Sequence, residues 1–445
     1  MGQPHVLVDG ITIVRFTDAP PRSVRLQLDP TSGTFLAITI DGDLYSIPAT
    51  RGASPQRVAT AVDHGITRLQ GLAIHGASIY LCGNVAVNGG KGTKGRLVRG
   101  RLQPDGSRRW TTVFETDSFG TVQIAFDHGF NAVVVSPDER HLYVTSGSRT
   151  DHGEVQDNGG AYPDAREEPL TASVLRVPID AENLHLPNDL DELTAAGYLY
   201  ARGIRNAYDM AFSSAGHLFA VSNSGDYDHP EDMFWVREGH HYGFPWVMGG
   251  VDNPQQYADF HPDPENDPFI NPYSLAYTQE YFYNDPDFPP RPENVTFTPP
   301  VANIGPDANY YRDRETGRVV KGDETGVAVG TFTAHRSPLG LVFDTDTTLA
   351  LPYRGDGFVL SWTDGTQSVL LGRLSNLGAD LIHLTLFHNP HTDHYIVRAQ
   401  RIAEGFRGPV DAELVGSDLY VLEHGGSEAA IWKLSLSPRR TSRTE

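Results

Sequence analysis

The chain has 445 residues, 39% of them hydrophobic and 20% charged, a balance typical of a soluble globular protein. Its formal net charge of -21 argues against nucleic acid as a partner, because phosphate binding needs a basic surface. The sequence has no run of ~18 apolar residues, so it predicts no membrane span. Its single cysteine, Cys82, excludes an intrachain disulfide and is expected to be a small buried side chain.

In chain order, the sequence repeats a unit of strand, polar turn and strand. Several units close on similar segments, among them HLYVTSG, HLFAVSN and DLYVLEHG. A unit that recurs at intervals above ~40 residues favours a propeller, with each unit forming the core of one blade. We therefore predict an all-β fold, a six-bladed β-propeller with long inserted loops on one face. The six predicted units are Val24–Ile47, Leu69–Gly83, Val133–Gly147, Met210–Gly225, Leu341–Trp362 and Ala412–Leu434.

Two segments interrupt the repeat. Residues 245–334 are rich in Pro, Asp, Tyr and Phe. The prolines exclude a long helix or central strand, and the aromatic residues favour an ordered loop packed over a face. A smaller insertion spans residues 148–173, and one short helix is predicted over residues 189–200. No linker divides the chain, so we predict a single domain over residues 1–436 and a polar tail over 437–445.

Polar residues concentrate around the fourth predicted hairpin. Arg205 and Asn206 precede it, an acidic loop containing Gly225 follows it, and Glu231-Asp232 lie ahead of the run GHHYGFP. Loops on a rigid sheet scaffold are where binding residues usually lie. We therefore expect the binding chemistry of this chain in these loops.

This order of motifs resembles the soluble PQQ-dependent sugar dehydrogenases, the glucose/sorbosone dehydrogenase family. His128 fits the family pattern too, since it stands nine positions before Pro137 and just ahead of a hairpin. The resemblance implies that His128 is the general base that takes the proton of the sugar C1 hydroxyl. It also implies that Arg205 and Asn206 contact the quinone carbonyls of PQQ and that Arg205 stabilises the reduced quinone. The Gly-Arg-Leu that follows the family's histidine is absent here.

The resemblance also implies two calcium sites. The cofactor calcium would use the backbone carbonyls of Gly225 and Asp226, and a structural calcium would use Glu231, Asp232 and a carbonyl at Tyr242. The Gly loop is one residue longer than in the family, and Asp226 replaces a proline. A side-chain carboxylate could therefore join the coordination.

Three further arginines are candidates for binding the cofactor carboxylates. Arg336, Arg354 and Arg407 stand on loops near the fifth and sixth units, where the family has a Lys or Arg. Arginine forms bidentate pairs with carboxylates, so it suits this role.

The implied function is oxidation of an aldose at C1 to the lactone, with PQQ and Ca²⁺ as cofactors. Its partners would be a sugar substrate and an external electron acceptor. Two alternatives stay open: a calcium-dependent propeller lactonase or other hydrolase, and a non-catalytic propeller that binds carbohydrate or protein. The N-terminus lacks a basic start and an apolar segment, so it predicts no signal peptide. The resemblance favours a periplasmic or secreted protein from which the signal has been removed.

Overall fold

The structure, a computed structural model, describes residues 3–121, 126–155, 166–280, 288–327, 330–363, 374, 378–426 and 428–436. The predicted tail over residues 437–445 lies outside this description. Cys82 is buried and free, as expected. Within the described residues, no helix has the length and apolar character that crossing a membrane requires.

Six antiparallel sheets form the blades of a β-propeller, which confirms the predicted fold. Each predicted unit is the inner part of one blade, because residues adjacent in sequence form each inner hairpin. The innermost strands neighbour one another in a closed ring around the central channel. From blade 1 to blade 6, these inner strands are Ser23–Asp29, Arg68–His75, Phe130–Val135, Ala207–Phe212, Pro338–Phe343 and Pro409–Val415.

The remaining blade strands follow outward from each inner strand. In blades 1 to 3 they are Thr34–Thr39, Leu44–Pro48 and Gln56–Ala59; Ser78–Val87, Gly92–Leu102 and Arg108–Thr116; and His141–Ser146, Ser173–Pro178 and Leu199–Arg202. In blades 4 to 6 they are Leu218–Ser222 and Asp232–Val236; Gly357–Ser361, Asp380–Asn389 and His394–Glu404; and Asp418–Glu423, Ala430–Ser435 and Thr12–Asp18.

Blade 6 combines the two ends of the described chain. Its outermost strand, Thr12–Asp18, pairs antiparallel with Ala430–Ser435, with Ile13 opposite Leu434. This pairing closes the ring and covers a sheet edge that would otherwise expose unpaired backbone groups.

The second strands of the blades are largely buried because each sheet is covered on both faces by its neighbours. Every residue of Leu218–Ser222 and of Gly357–Ser361 is buried. Such strands read as continuous apolar runs, which is why the hairpins were recognisable in the sequence.

Carboxylates on inner strands connect neighbouring blades. The carboxylate of Asp209 in blade 4 accepts a hydrogen bond from the backbone N–H of Leu341 in blade 5 at 2.9 Å. In blade 6, Asp411 accepts from Leu26 N–H at 2.6 Å. Glu413 accepts from Leu28 N–H of blade 1 at 3.0 Å. The inner strands are thus held together by side chains as well as by packing.

Short elements occupy the connections. The predicted helix over residues 189–200 is present as Leu190–Ala195, where the Asp189 carboxylate caps the Glu192 N–H at 2.9 Å. The other helices are Ala61–His64, Leu275–Thr278 and Gly322–Thr325, with 3₁₀ turns at Asn88–Gly90 and Pro254–Gln256. The short strands outside the blade series are His5–Val6, Phe119–Gly120, Leu184–Leu186, Val247–Met248, Val251–Asp252, Ala302–Pro306, Tyr310–Arg312 and Val319–Lys321.

Candidate functional site

The topology brings four of the predicted residues to one end of the central channel. The chain enters every blade at the inner strand and from the same end. His128, Arg205, Arg336 and Arg407 each stand one to three residues before an inner strand, in blades 3, 4, 5 and 6. Residues in such positions surround the channel mouth.

His128 lies half-buried at this mouth, and its ring is oriented by the backbone. Its Nδ1 lies 3.2 Å from the carbonyl oxygen of Ser148, and no described residue forms a hydrogen bond with Nε2. Burial, reinforced by the positive charge of Arg205, lowers the pKa of His128 to about 3. The imidazole is therefore neutral at physiological pH, with Nδ1–H as donor and the Nε2 lone pair available to accept a proton.

The backbone of a single residue, Ser148, links His128 to Arg205 through hydrogen bonds. The N–H of His128 donates to the Ser148 carbonyl at 3.0 Å, and the N–H of Ser148 donates to the Arg205 carbonyl at 2.6 Å. The loop ends of blades 3 and 4 are thereby held side by side. This arrangement fixes the separation of a neutral base and a cation.

Arg205 is only 5% exposed, and its guanidinium is held at three of its five N–H groups. Nε donates to the Asp151 carbonyl at 2.8 Å, and one terminal nitrogen forms an ion pair with the Asp151 carboxylate at 2.9 Å. The other terminal nitrogen donates to the Asn223 carbonyl at 3.2 Å. The remaining two N–H groups have no hydrogen-bond partner among the described residues and could serve a bound molecule.

Asn206 belongs to a buried amide network next to Arg205. Its Oδ1 accepts from Asn131 Nδ2 at 2.8 Å, and its Nδ2 donates to Asn223 Oδ1 at 2.7 Å. These two hydrogen bonds give the amide one orientation and use one of the two N–H groups of its Nδ2.

Sequence reasoning missed Asp151 and its neighbour His152, which lie in the insertion over residues 148–173. Burial opposes ionisation of Asp151, but His152 and Arg205 together hold the pKa of this carboxyl well below its usual range. Asp151 therefore stays ionised and partly offsets the charge of Arg205. Its ion-pair partner Arg205 lies 54 residues further along the chain, so only the spacing of acids on a loop could have indicated Asp151.

The predicted Gly loop packs directly on this ion pair. A Cβ built at Gly225 would lie 2.9 Å from Nε2 of His152, so the loop approaches too closely for a side chain there. The N–H of Asp226 donates to the Asp151 carboxylate at 3.1 Å, while the Asp226 carboxylate accepts from Ala276 N–H at 2.8 Å. Burial and the charge of Asp151 raise the pKa of Asp226 to about 6.

The second group of predicted metal ligands, Glu231, Asp232 and Tyr242, is buried. Neither carboxylate forms an ion pair with a described residue. Burial raises the pKa of Glu231 to about 7 and that of Asp232 to about 8. One oxygen of Asp232 accepts from Gly249 N–H at 3.0 Å, and the other has no hydrogen-bond partner within the described residues. The Tyr242 hydroxyl donates to the Trp235 carbonyl at 2.6 Å, so only its backbone carbonyl could serve a metal.

A hard cation fits the orphaned oxygen of Asp232, because a buried carboxylate needs either a proton or a positive charge. Across the described ranges, however, no group of three or more His, Cys, Asp or Glu side chains is arranged to hold a metal ion. A cation at Gly225 and Asp226 or beside Asp232 would therefore need backbone carbonyl ligands, which Ca²⁺ accepts.

The three other arginines differ in position. Arg336 is 1% exposed and pairs with Asp380 within blade 5, and Asp380 also pairs with Arg401 at 2.8 Å. Arg407 is partly exposed and pairs with Glu428. Both lie at the mouth end, but each guanidinium is directed to a carboxylate of its own blade.

Arg354 lies at the other end of blade 5, and the structure does not support its prediction as a cofactor ligand. The turn that contains it joins the inner strand Pro338–Phe343 to Gly357–Ser361 at the end opposite Arg336. Six residues of strand separate the two ends by about 20 Å. The neighbouring Gly355 contacts Ser214 in the corresponding turn of blade 4.

The fold and these contacts define a β-propeller with a histidine, an arginine and a carboxylate clustered at its channel mouth. A sequence model of the Glucose / Sorbosone dehydrogenase family matches residues 31–294, more than half of the chain. The chain therefore belongs to this family, which confirms the resemblance seen in the motifs. The comparison with curated proteins gives no match.

Solved structures with the same propeller cover nearly the whole chain. A glucose dehydrogenase is 15% identical with a TM-score of 0.58, and the alignment covers 95% of this chain and 99% of that one. The soluble aldose sugar dehydrogenase of Escherichia coli, in its apo form, is 16% identical over 96% and 100%, with a TM-score of 0.56. The PQQ-bound aldose sugar dehydrogenase of Streptomyces coelicolor is 14% identical over 96% and 98%, with a TM-score of 0.54. At these identities, the likeness concerns the fold.

Proposed function

We propose that this protein oxidises an aldose at C1 to the lactone, with PQQ and Ca²⁺ as cofactors. The observation that carries the proposal is the pairing of a neutral His128 with a fixed Arg205 at the channel mouth, joined through one backbone residue. Family membership and a PQQ-bound structural neighbour support the choice of cofactor.

In this proposal, His128 is the general base. The Ser148 carbonyl accepts the Nδ1 proton and so leaves the Nε2 lone pair to take the proton of the C1 hydroxyl. PQQ, when bound, supplies the two-electron acceptor for the hydride that leaves C1 as the C1–oxygen double bond forms. His128 holds the proton until it passes to water.

Arg205 and Asn206 would hold the cofactor through its quinone oxygens. Arg205 offers two N–H donors that no described residue uses, in a buried setting where hydrogen bonds to developing negative charge are strongest. Asp151 keeps its guanidinium in place and moderates its charge. Arg336 and Arg407 already pair with Asp380 and Glu428, so we give them a weaker role than Arg205.

Calcium would bind near Gly225 and Asp226 with the cofactor, and near Glu231, Asp232 and the carbonyl of Tyr242 as a structural ion. Ca²⁺, when bound, supplies positive charge that polarises the cofactor and neutralises the buried acids. The uncompensated carboxylates favour this assignment, and backbone carbonyls would complete the ligands.

The remaining parts of the proposal follow from the family. The substrate is a sugar, an external acceptor takes the electrons, and the protein works in the periplasm or outside the cell. Residues 1–436 act as a single domain, with residues 437–445 as a tail.

The test is reconstitution of the purified full chain with PQQ and Ca²⁺, followed by a panel of aldoses and a dye acceptor. We expect saturable PQQ binding and dye bleaching that depends on both sugar and Ca²⁺. His128→Ala should retain PQQ binding and lose sugar oxidation about a hundredfold or more. His141→Ala, at the other end of blade 3, is the matched control and should keep activity.

Two results would overturn the proposal. Full activity in His128→Ala would remove the general base. No PQQ binding at micromolar cofactor would remove the chemistry, and calcium-dependent lactone hydrolysis or sugar binding without turnover would then be the function to pursue.

A further inference from the structure

A second cleft lies on the outer side of the propeller, beside the outermost strand of blade 4. Its volume is about 780 Å³, within the range of small-molecule sites. It is bounded by the end of the blade 3 outer strand, by the segment 237–241, by residues 294–299 and by the outer turn of blade 5. The polar side chains that matter for binding are Arg202, Arg237, His240, His241, Thr298 and Asp393.

The cleft is electropositive in a chain whose formal net charge is -21. Asp393 is the single carboxylate among its described lining residues, and it pairs with Arg237 at 3.0 Å. Arg202 has no ion pair within the described part of the chain. Among the described lining residues, two arginines therefore stand against one carboxylate.

The walls of the cleft are fixed by backbone pairing. The Tyr242 N–H donates to the Arg202 carbonyl at 2.9 Å, and the Thr298 N–H donates to the His241 carbonyl at 2.8 Å. The His240 ring bonds the Thr298 hydroxyl at 2.7 Å. These contacts hold three segments in register, so the polar groups face the cleft before any ligand arrives.

Arg237 has spare hydrogen-bonding capacity. Its Nε is buried and has no hydrogen-bond partner within the described residues. One terminal nitrogen bonds Asp393, whose side chain is 66% exposed and so only weakly neutralises the guanidinium. A buried donor without a partner is costly, which favours a rotation of the guanidinium that lets a ligand oxygen satisfy it.

We propose that this cleft binds an anionic sugar, a sugar acid or a sugar phosphate, between Arg202 and Arg237. The two guanidinium groups would contact the carboxylate or phosphate, for which arginine is well suited. The hydroxyl of Thr298 and the imidazoles of His240 and His241 provide donors and acceptors for the sugar hydroxyls. This site is separate from the channel mouth and does not depend on the proposed redox function.

The test is calorimetric titration of the purified full chain at low ionic strength, without PQQ. The probes are glucuronate, glucose 6-phosphate and the neutral methyl glucoside. We expect at least one anion to bind, the neutral glycoside to bind at least tenfold more weakly, and added salt to weaken binding. The preferred anion identifies the source as a sugar acid or a sugar phosphate.

Variants with opposite expected effects on anion binding distinguish the loss of a contact from damage to the fold. Arg202→Gln and Arg237→Gln should each weaken anion binding about tenfold or more, since each removes a charge-assisted hydrogen bond. Asp393→Asn should tighten binding several-fold, because it removes the opposing carboxylate, and damage to the fold would not produce a gain. Arg354→Gln, the same change at a distant turn, should leave binding unchanged. Failure of both anions to bind at about 10 mM, or equal binding by the wild type and both arginine variants, would overturn the proposal.

Discussion

Replacing Glu413 by glutamine should stabilise the protein at alkaline pH. Glu413 lies on the inner strand of blade 6, and its Oε1 accepts the Leu28 N–H of blade 1 at 3.0 Å. Burial raises the pKa of this carboxyl from 4.5 to about 7. Glutamine keeps the carbonyl acceptor and the volume, and it removes the charge that burial disfavours.

The magnitude follows from this shift. A rise of roughly 2.5 pKa units corresponds to about 3 kcal/mol of free energy of unfolding, at 1.36 kcal/mol per unit. The folded state binds the proton more tightly than the unfolded state. The contribution of Glu413 is therefore fully present below pH 4.5 and is lost as the pH rises through about 7. Because glutamine does not ionise, Glu413→Gln does not lose this stability as the pH rises.

The assay is urea unfolding at pH 5 and pH 8 in the presence of EDTA, which removes metal-dependent stability. Wild type and Glu413→Gln should differ little at pH 5, and the variant should be more stable by about 2–3 kcal/mol at pH 8. Glu315→Gln, an exposed position on a turn, should show the same difference from wild type at both pH values. The reasoning is refuted if Glu413→Gln is equally or less stable than wild type at pH 8.

Three further predictions concern the residues predicted to act on the substrate or to bind calcium. Because the pKa of His128 is about 3, kcat/KM of the reconstituted enzyme should show no histidine inflection near pH 6.5, and an inflection lost in His128→Ala would contradict the assignment. Calcium should raise the thermal midpoint of the wild type and not that of Asp232→Asn; equal gains in both would exclude Asp232 as a ligand. Gly225→Ala should lower stability by about 1–3 kcal/mol in urea unfolding, because the new methyl group would press on His152; an unchanged midpoint would show that the loop can move.

The sequence predicted the fold because propeller blades are built from local hairpins. Each unit pairs residues close in the chain, and its apolar strands stand out from the polar turns. Closure by Thr12–Asp18 was not predicted, since its partner strand lies more than 400 residues away and nothing local marks the pairing.

The site residues could be predicted where a chemically suitable side chain also stands just before the inner strand of a blade. His128, Arg205 and Asn206 all precede inner strands, so the repeat itself brings them together. Arg354 was misplaced because an arginine within a hairpin and one before it look alike in sequence, although they lie at opposite ends of the strand. Asp151 was missed because its ion pair with Arg205 spans two blades and depends on an irregular loop.

The strand Thr12–Asp18 has a consequence for how the chain can be made and rearranged. It is synthesised more than 400 residues before its partner strand Ala430–Ser435, so blade 6 cannot be completed until that later strand has been made. The same closure brings residues near both ends into one sheet. A circular permutant opened at the connection between blades 1 and 2 would make blade 6 from continuous chain, and blade 1 would then be the last blade to be synthesised.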